Sequence, residues 1–456
     1  MKTATARVLR PEGGSLLLRI ILFSVPLALS SILQLLFNAA DVVVVGRFCG
    51  SAALAAVGSN GSLINLLTNL FMGLSVGTNV VAARCFGARD EKGVQDTVGT
   101  SVLISLCSGL FLGIVGFAAA HTLLQWMSSP ADVIDLATVY LRIYFIGMPS
   151  MMLYNFGSAL LRAVGDTRRP LYCLALAGVI NVILNLVFVL CFGLGVAGVA
   201  LATIISQTVS AILIAVILMR EKGPLHLDWH HLRLQRGVLM QMLRIGIPAG
   251  LQGTVFSLSN VVIQSAINSF GSTVVAASSA SSNLENFIYV SMNACHQACV
   301  TFTSQNVGAR RYSNINRVLR DCLFCVVVIG FSMGVGAALL GRPLLGIYSS
   351  DAAVIEAGLR RLYIISTTYA ICGVMDVMVG SLRGMGYSVV PMIVSLVGSC
   401  LFRLIYIATV FSWYHTEQVL YMCYPISWVL TAAVHIFCFF VLRRNYPKTD
   451  AVCPES

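Results

Sequence analysis

An all-α integral membrane fold, with twelve transmembrane helices in two parallel six-helix repeats, follows from three features of the sequence. Hydrophobic residues make up 57% of the 456 residues and charged residues only 10%. With a mean hydropathy of +0.86, that composition excludes an ordinary soluble domain. Apolar runs long enough to cross a ~30 Å hydrocarbon core recur along the whole chain, centred near residues 30, 66, 107, 145, 182, 208, 254, 288, 328, 366, 400 and 430. The two halves also match each other at a fixed offset of 221: Gly50 with Gly271, Gly87-Ala88-Arg89 with Gly308-Ala309-Arg310, Leu161-Arg162 with Leu382-Arg383, Gly165 with Gly386, and Pro170 with Pro391. So many Gly, Pro and Arg coincidences at one offset identify a duplication. Six spans per copy is an even number, so both copies enter the membrane in the same orientation, and the repeats are parallel.

The first span, Leu22 to Gly46, carries one carboxylate, Asp41. Gln34, Asn38 and Asp41 recur at helical spacing and are expected on one face. A buried aspartate costs roughly 2.5 to 3.5 kcal/mol in a membrane helix, so it ordinarily serves an ion, a proton path or a cavity. The second span is rich in small residues, Gly73, Gly77 and Ala82, that let helices approach closely. Asn155 falls in the fourth span, Asn181 and Asn185 lie one turn apart in the fifth, and Thr203 lies in the sixth. Pro26, Pro248, Gly157 and Gly250 are kink sites that a membrane helix tolerates. The polar stretch 220–241 separates an N-terminal lobe, 1–219, from a C-terminal lobe, 242–456. Glu285 and His296 are in the eighth span, Asp376 in the tenth and Arg403 in the eleventh. At the 221 offset Asn155 pairs with Asp376, so the halves have diverged chemically.

The net charge of +11 is a matter of topology, not of a nucleic-acid partner. Most Lys and Arg, including Arg7, Arg10, Arg84, Arg89, Lys92, Arg168, Arg169, Arg310, Arg311, Arg443 and Arg444, fall in the tails and even-numbered connections. This positive-inside pattern puts both termini in the cytoplasm, with the first helix acting as its own insertion signal. The fourteen cysteines sit mostly in apolar runs and imply no disulfide framework; Cys322 and Cys325 have redox-motif spacing without its βαβ context.

Three soluble-enzyme patterns are decoys. Gly193-Leu-Gly195-Val-Ala-Gly198 follows no strand and reads as a turn between spans five and six. Gly73-Leu-Ser75-Val-Gly77 has nucleophile-elbow spacing inside a helix. His226, His230 and His231 with Asp228 form a solvated interlobe loop more readily than a metal site. No P-loop, HExxH or other catalytic constellation is present, so neither an enzyme nor a cofactor is expected beyond a coupling ion. Three acids are left inside the spans: Asp41, Glu285 and Asp376. A carboxylate in a dry site can load a proton from one side and release it when water or a cation arrives, which makes antiport possible without a covalent step.

Taken together, Ala40-Asp41 with Val45-Gly46, the Gly87-Ala88 and Gly308-Ala309 pair, Leu161-Arg162 through Pro170, Asn181 to Asn185 with Gly195-Val-Ala-Gly198, and Leu382-Arg383-Gly384 through Pro391 resemble the multidrug and toxic compound extrusion (MATE) family over essentially the full chain. The resemblance implies two six-helix lobes around a central cleft, with H⁺ or Na⁺ entry driving export of cationic, often aromatic drugs. It maps a cation-coupling site onto Asp41, Asn155, Asn181, Asn185 and Thr203. It leaves Asp376, Glu285, Gln34, Asn38, His296 and Arg403 as substrate or second-ion contacts. Two departures bear on the ion. Where many members carry an Asp-Pro pair in the fifth span this chain has Asn185-Leu186, and the seventh-span glutamate of sodium-coupled members aligns with Phe256. The expected activity is therefore a secondary antiporter, coupled to H⁺ in preference to Na⁺, that exports amphipathic cations from a monomer in the inner membrane. The alternative is a lipid-linked precursor flippase of the same superfamily. Such a flippase needs several basic residues along its path, and from sequence only Arg403 qualifies.

Overall fold

The computed structural model describes residues 15–126, 133–229, 232–447 and 450. Its regular structure among those residues is helical: α1 (Leu16–Phe48), α2 (Ser51–Gly87), α3 (Glu91–Trp126), α4 (Ile134–Ile146), α5 (Met148–Ala163), α6 (Arg168–Leu186), α7 (Gly195–Arg220), α8 (Arg236–Asn268), α9 (Ser272–Gly308), α10 (Ser313–Leu339), the short α11 (Gly341–Gly346), α12 (Ala352–Gly384), α13 (Val389–Ser395), α14 (Phe402–Tyr406) and α15 (Glu417–Arg443). Stretches of π-helix extend α6 over Val187–Cys191 and join α13 to α14 over Leu396–Leu401, and another follows α14 over Ile407–Phe411.

Ten helices are long and apolar enough to cross a bilayer, and α4 with α5, bent by 49°, makes an eleventh span. The bend falls at Gly147, where Pro149 at the start of α5 withholds a backbone donor and disfavours helix in the residue before it. The twelfth expected span is α9, long enough at 37 residues but the most polar of the set. Its polar side chains, among them Ser278, Glu285, Ser291, His296 and Thr303, are buried inside the protein. A polar helix is stable in a membrane when protein, not lipid, surrounds it.

Along α3 the burial of residue types is the reverse of a soluble helix. Thr97, Thr100, Ser101, Ser105 and Ser108 are buried, whereas Leu110, Phe111, Ile114 and Phe117 are exposed. The outer surface is apolar because its solvent is hydrocarbon.

The chain forms two compact units, and α1 and α8 each contribute to both. The first unit includes 29–250 and the second includes 15–28 and 251–450. The first half of α8 belongs to the first unit through a crossing with α2. A Cβ on Gly73 would lie 2.2 Å from the Gly250 nitrogen, one on Gly77 2.3 Å from the Met242 carbonyl, and one on Gly246 2.6 Å from Leu74 Cα. Two GxxxG stretches thus face each other with backbone against backbone. Gly73→Ala is expected to destabilise the protein by about 1–3 kcal/mol. Gly336→Ala, where an added Cβ meets nothing within 4 Å, is expected to be neutral; thermal unfolding of the purified variants checks both. In the second unit the first half of α1 packs Ile20, Phe23 and Leu27 into a core with α9, α10 and α12, with Phe23 edge-on to Phe302 at 5.4 Å.

The duplication is legible in the backbone. Positive φ recurs at the 221 offset at Gly50 (87°) and Gly271 (90°), Arg89 (58°) and Arg310 (55°), and Gly165 (91°) and Gly386 (97°). The last two pairs sit in helix stops: Asp90 N–H bonds the Cys85 carbonyl at 2.9 Å, and Arg311, Asp166 and Tyr387 make the equivalent bonds to Asn306, Leu161 and Leu382. These are Schellman closures, which require a left-handed residue after the helix. The repeated Gly-Ala-Arg and Leu-Arg motifs therefore mark helix ends.

Candidate functional site

In the first unit, Asp41 lies near the end of α1 with only 7% of its surface exposed. Asn185 on α6 donates through Nδ2 to Asp41 Oδ1 and also faces Asn181 Oδ1 at 3.3 Å. Asn181, one turn earlier, donates to Thr203 Oγ1 on α7 at 3.5 Å, and that hydroxyl donates to the Val199 carbonyl at 2.9 Å. Thr203, Asn181, Asn185 and Asp41 thus form one hydrogen-bonded chain across three helices. Asn185 Oδ1 is buried without a hydrogen-bond partner. A buried carbonyl oxygen left without a donor is an unmet acceptor next to a chain that ends on a titratable carboxylate.

Asn155, the fifth residue assigned to this site, has no hydrogen bond to the chain among the described residues, and Gln34 and Asn38 are expected as substrate or second-ion contacts. Asn155 donates to the Met151 carbonyl of its own helix at 2.8 Å. Gln34 and Asn38 are exposed while Asp41 is buried, so the stripe expected from their spacing is divided between two environments. Sequence reasoning passed over Tyr140 and Tyr144 on α4, which stack at 6.1 Å and lie near enough to Asp41 to feel its charge. Their spacing of four in the fourth span was the available signal.

The second unit corrects several expectations. Glu285 is not a free contact, because Arg361 on α12 holds both carboxylate oxygens at 2.9 Å, and the pair is buried. Arg361 also donates to Ser278 Oγ at 2.5 Å and lies 5.5 Å over the Tyr421 ring. Arg403, expected as a substrate or second-ion contact, is buried. It donates through Nε to Ser427 Oγ at 2.9 Å and lies 4.6 Å over Tyr424. The cation with electrostatic influence on Asp376 is Arg383, whose Nη2 donates to Gln252 Oε1 at 2.8 Å. His296 Nδ1 meets the Asp376 backbone carbonyl at 2.6 Å, so one ring nitrogen is occupied in joining α9 to α12. Arg361 and Arg383 thus join Arg403 as buried cations of this unit. Arg361 was missed because it lies within three turns of the start of α12, where a basic residue reads as flanking the membrane.

In the connection between α7 and α8, His226 Nδ1 faces the Glu221 carbonyl at 3.1 Å; His230 and His231 lie outside the described residues, as do Arg7 and Arg10. Among the described residues no group of three His, Cys, Asp or Glu gathers as a metal site.

Comparison with known proteins bears on the family and the fold. The MatE family model matches residues 26–187 and 248–409, one stretch per repeat. The probable multidrug resistance protein YoeA of Bacillus subtilis is 29% identical, over 82% of this chain and 82% of its own. The probable multidrug resistance protein NorM of Thermotoga maritima is 25% identical over 83% and 82%, and an FAD transporter of Shewanella oneidensis is 22% identical over 92% and 93%. Two solved structures share the fold at a TM-score of 0.88 and 22% identity, each covering 94% of this chain and 96% of its own: an outward-facing MATE family multidrug transporter and a MOP superfamily transporter from Pyrococcus furiosus.

Proposed function

Because the chain belongs to the multidrug and toxic compound extrusion family of membrane transporters, we propose that it is a secondary antiporter that exports amphipathic, mostly cationic compounds by alternating access, with H⁺ entry coupled at Asp41. The observation that carries this reading is the Thr203–Asn181–Asn185–Asp41 chain with its unpartnered Asn185 oxygen. One buried carboxylate that receives an amide N–H titrates between a neutral and a charged form. Sodium binding calls for several oxygens turned inward, and here the Asn185 nitrogen faces the carboxylate. Protons are accordingly favoured over sodium. Asp376 remains as a substrate or second-ion contact, since among the described residues its carboxylate is not held in an ion pair, and Glu285 is retained as the partner of Arg361. The relatives named for multidrug resistance support a drug-like substrate class. The protein is taken to act as a monomer in the inner membrane with both termini cytoplasmic.

Dye efflux from proteoliposomes tests the ion. An imposed pH gradient is expected to drive ethidium transport at zero membrane potential, and an equal sodium gradient is expected not to. Transport driven by sodium alone would overturn the choice of ion.

The second reading, a lipid-linked precursor flippase, gains from the three buried arginines of the second unit. It predicts translocation of a labelled polyprenyl phosphate lipid without dye efflux; the antiporter reading predicts the reverse.

A further inference from the structure

The two units carry opposite chemistry at equivalent positions. At the 221 offset, Tyr140, Val182 and Thr203 of the first unit correspond to Arg361, Arg403 and Tyr424 of the second, and Asp41 corresponds to Val262. The correspondence is visible in the backbone as well. Ser206 Oγ donates to the Thr203 carbonyl at 2.9 Å, and Ser427 Oγ donates to the Tyr424 carbonyl at 2.8 Å. Where the first unit gathers one carboxylate with amides and hydroxyls, the second gathers two guanidinium groups against tyrosine rings.

Among the described residues, one of these guanidinium groups has a counter-charge and the other has none. Arg361 is matched by Glu285 through two hydrogen bonds of 2.9 Å. Arg403 is 3% exposed, uses Nε on Ser427 and lies over Tyr424. Among the described residues neither of its Nη atoms has a hydrogen-bond partner and no carboxylate pairs with it. A guanidinium taken out of water without a counter-ion is the costly half of an ion pair. Its planar fork accepts two oxygens of a carboxylate or phosphate at once. Tyr424 fixes the plane from one side and lies 5.8 Å from Trp428, so aromatic surface adjoins the free donors.

We propose that the second unit holds an anion-binding site at Arg403, which takes the carboxylate or phosphate of an amphipathic aromatic solute. The protein then recognises zwitterions and organic anions as well as cations. This extends the export reading to a further substrate class and rests on that reading only for the transport that follows, because binding at Arg403 needs no ion coupling.

The test is a fluorescence anisotropy titration of the full-length detergent-solubilised protein with 6-carboxyfluorescein, an aromatic carboxylate, and with ethidium, an aromatic cation. Saturable 6-carboxyfluorescein binding is expected, displaced by inorganic phosphate. Arg403→Gln is expected to weaken it by about tenfold or more, the loss of charge-assisted hydrogen bonds, while Arg403→Lys weakens it less and ethidium affinity is unchanged in both. The proposal is overturned if the parent protein shows no saturable binding of the anion, or if Arg403→Gln weakens both probes alike. Displacement by phosphatidylglycerol micelles but not by phosphate would assign the guanidinium to a lipid headgroup and also overturn it. Phosphate competition in the parent protein decides the matter if Arg403→Gln does not fold. Ion-driven ethidium efflux plays no part in the titration, so failure of the antiport reading and failure of this one are separate results.

Discussion

Asp41→Asn is expected to abolish ion-driven accumulation of a cationic dye while leaving dye binding and the thermal midpoint of the protein unchanged. The substitution is close to isosteric, and the asparagine Oδ1 keeps an acceptor for the Asn185 N–H, so the chain from Thr203 to α1 survives. What is lost is the only carboxylate of that chain and with it the exchange between a neutral and a charged state. A proton moving down one pH unit carries about 1.4 kcal/mol, enough for about a tenfold dye ratio at one proton per dye. The variant is expected to equilibrate dye to a ratio near one whatever gradient is imposed. Efflux at the parent level would remove Asp41 from the coupling role and leave Asp376 as the carboxylate to examine.

The largest stability effect is expected at the Glu285–Arg361 pair. Both side chains are under a tenth exposed, and the geometry is bidentate, so solvent screens little of the interaction. Removing one partner from such a pair strands a buried charge, at a cost of about 3–5 kcal/mol. Glu285→Gln alone should therefore lower the thermal midpoint strongly. The double variant Glu285→Gln, Arg361→Met should recover most of the loss, because apolar replacement of a whole buried pair is often close to neutral. The double-mutant cycle isolates the coupling. If the double variant is as unstable as Glu285→Gln alone, the stranded Arg361 charge is not the reason for the loss.

The fold was legible because bilayer physics writes it plainly. Length and apolarity delimit the spans, and Gly, Arg and Pro recur at one offset since a left-handed helix stop tolerates few changes. α9 shows the boundary of that argument. It is the least apolar of the long helices; the run near residue 288 reads as a span from sequence, yet length and apolarity alone do not pick α9 out among the helices, because the polar side chains it buries are covered by protein.

The candidate site was legible in part. Asp41, Asn181, Asn185 and Thr203 stood out as polar groups in apolar runs, and α1, α6 and α7 bring them into one hydrogen-bonded chain. Asn155 met the same criterion and turned to its own backbone instead. A lone polar residue announces a need for a partner, not who that partner is.

The sequence by itself determined the number, order and parallel duplication of the helices, because the hydrophobic spacing and the helix stops are local properties. Only the tertiary structure decided which buried charges are matched. Glu285 and Arg361 are 76 residues apart and meet because α9 and α12 pack together, whereas among the described residues Asp41 and Arg403 are in no ion pair within their units. Pairing depends on distances across helices, and no local pattern encodes those distances.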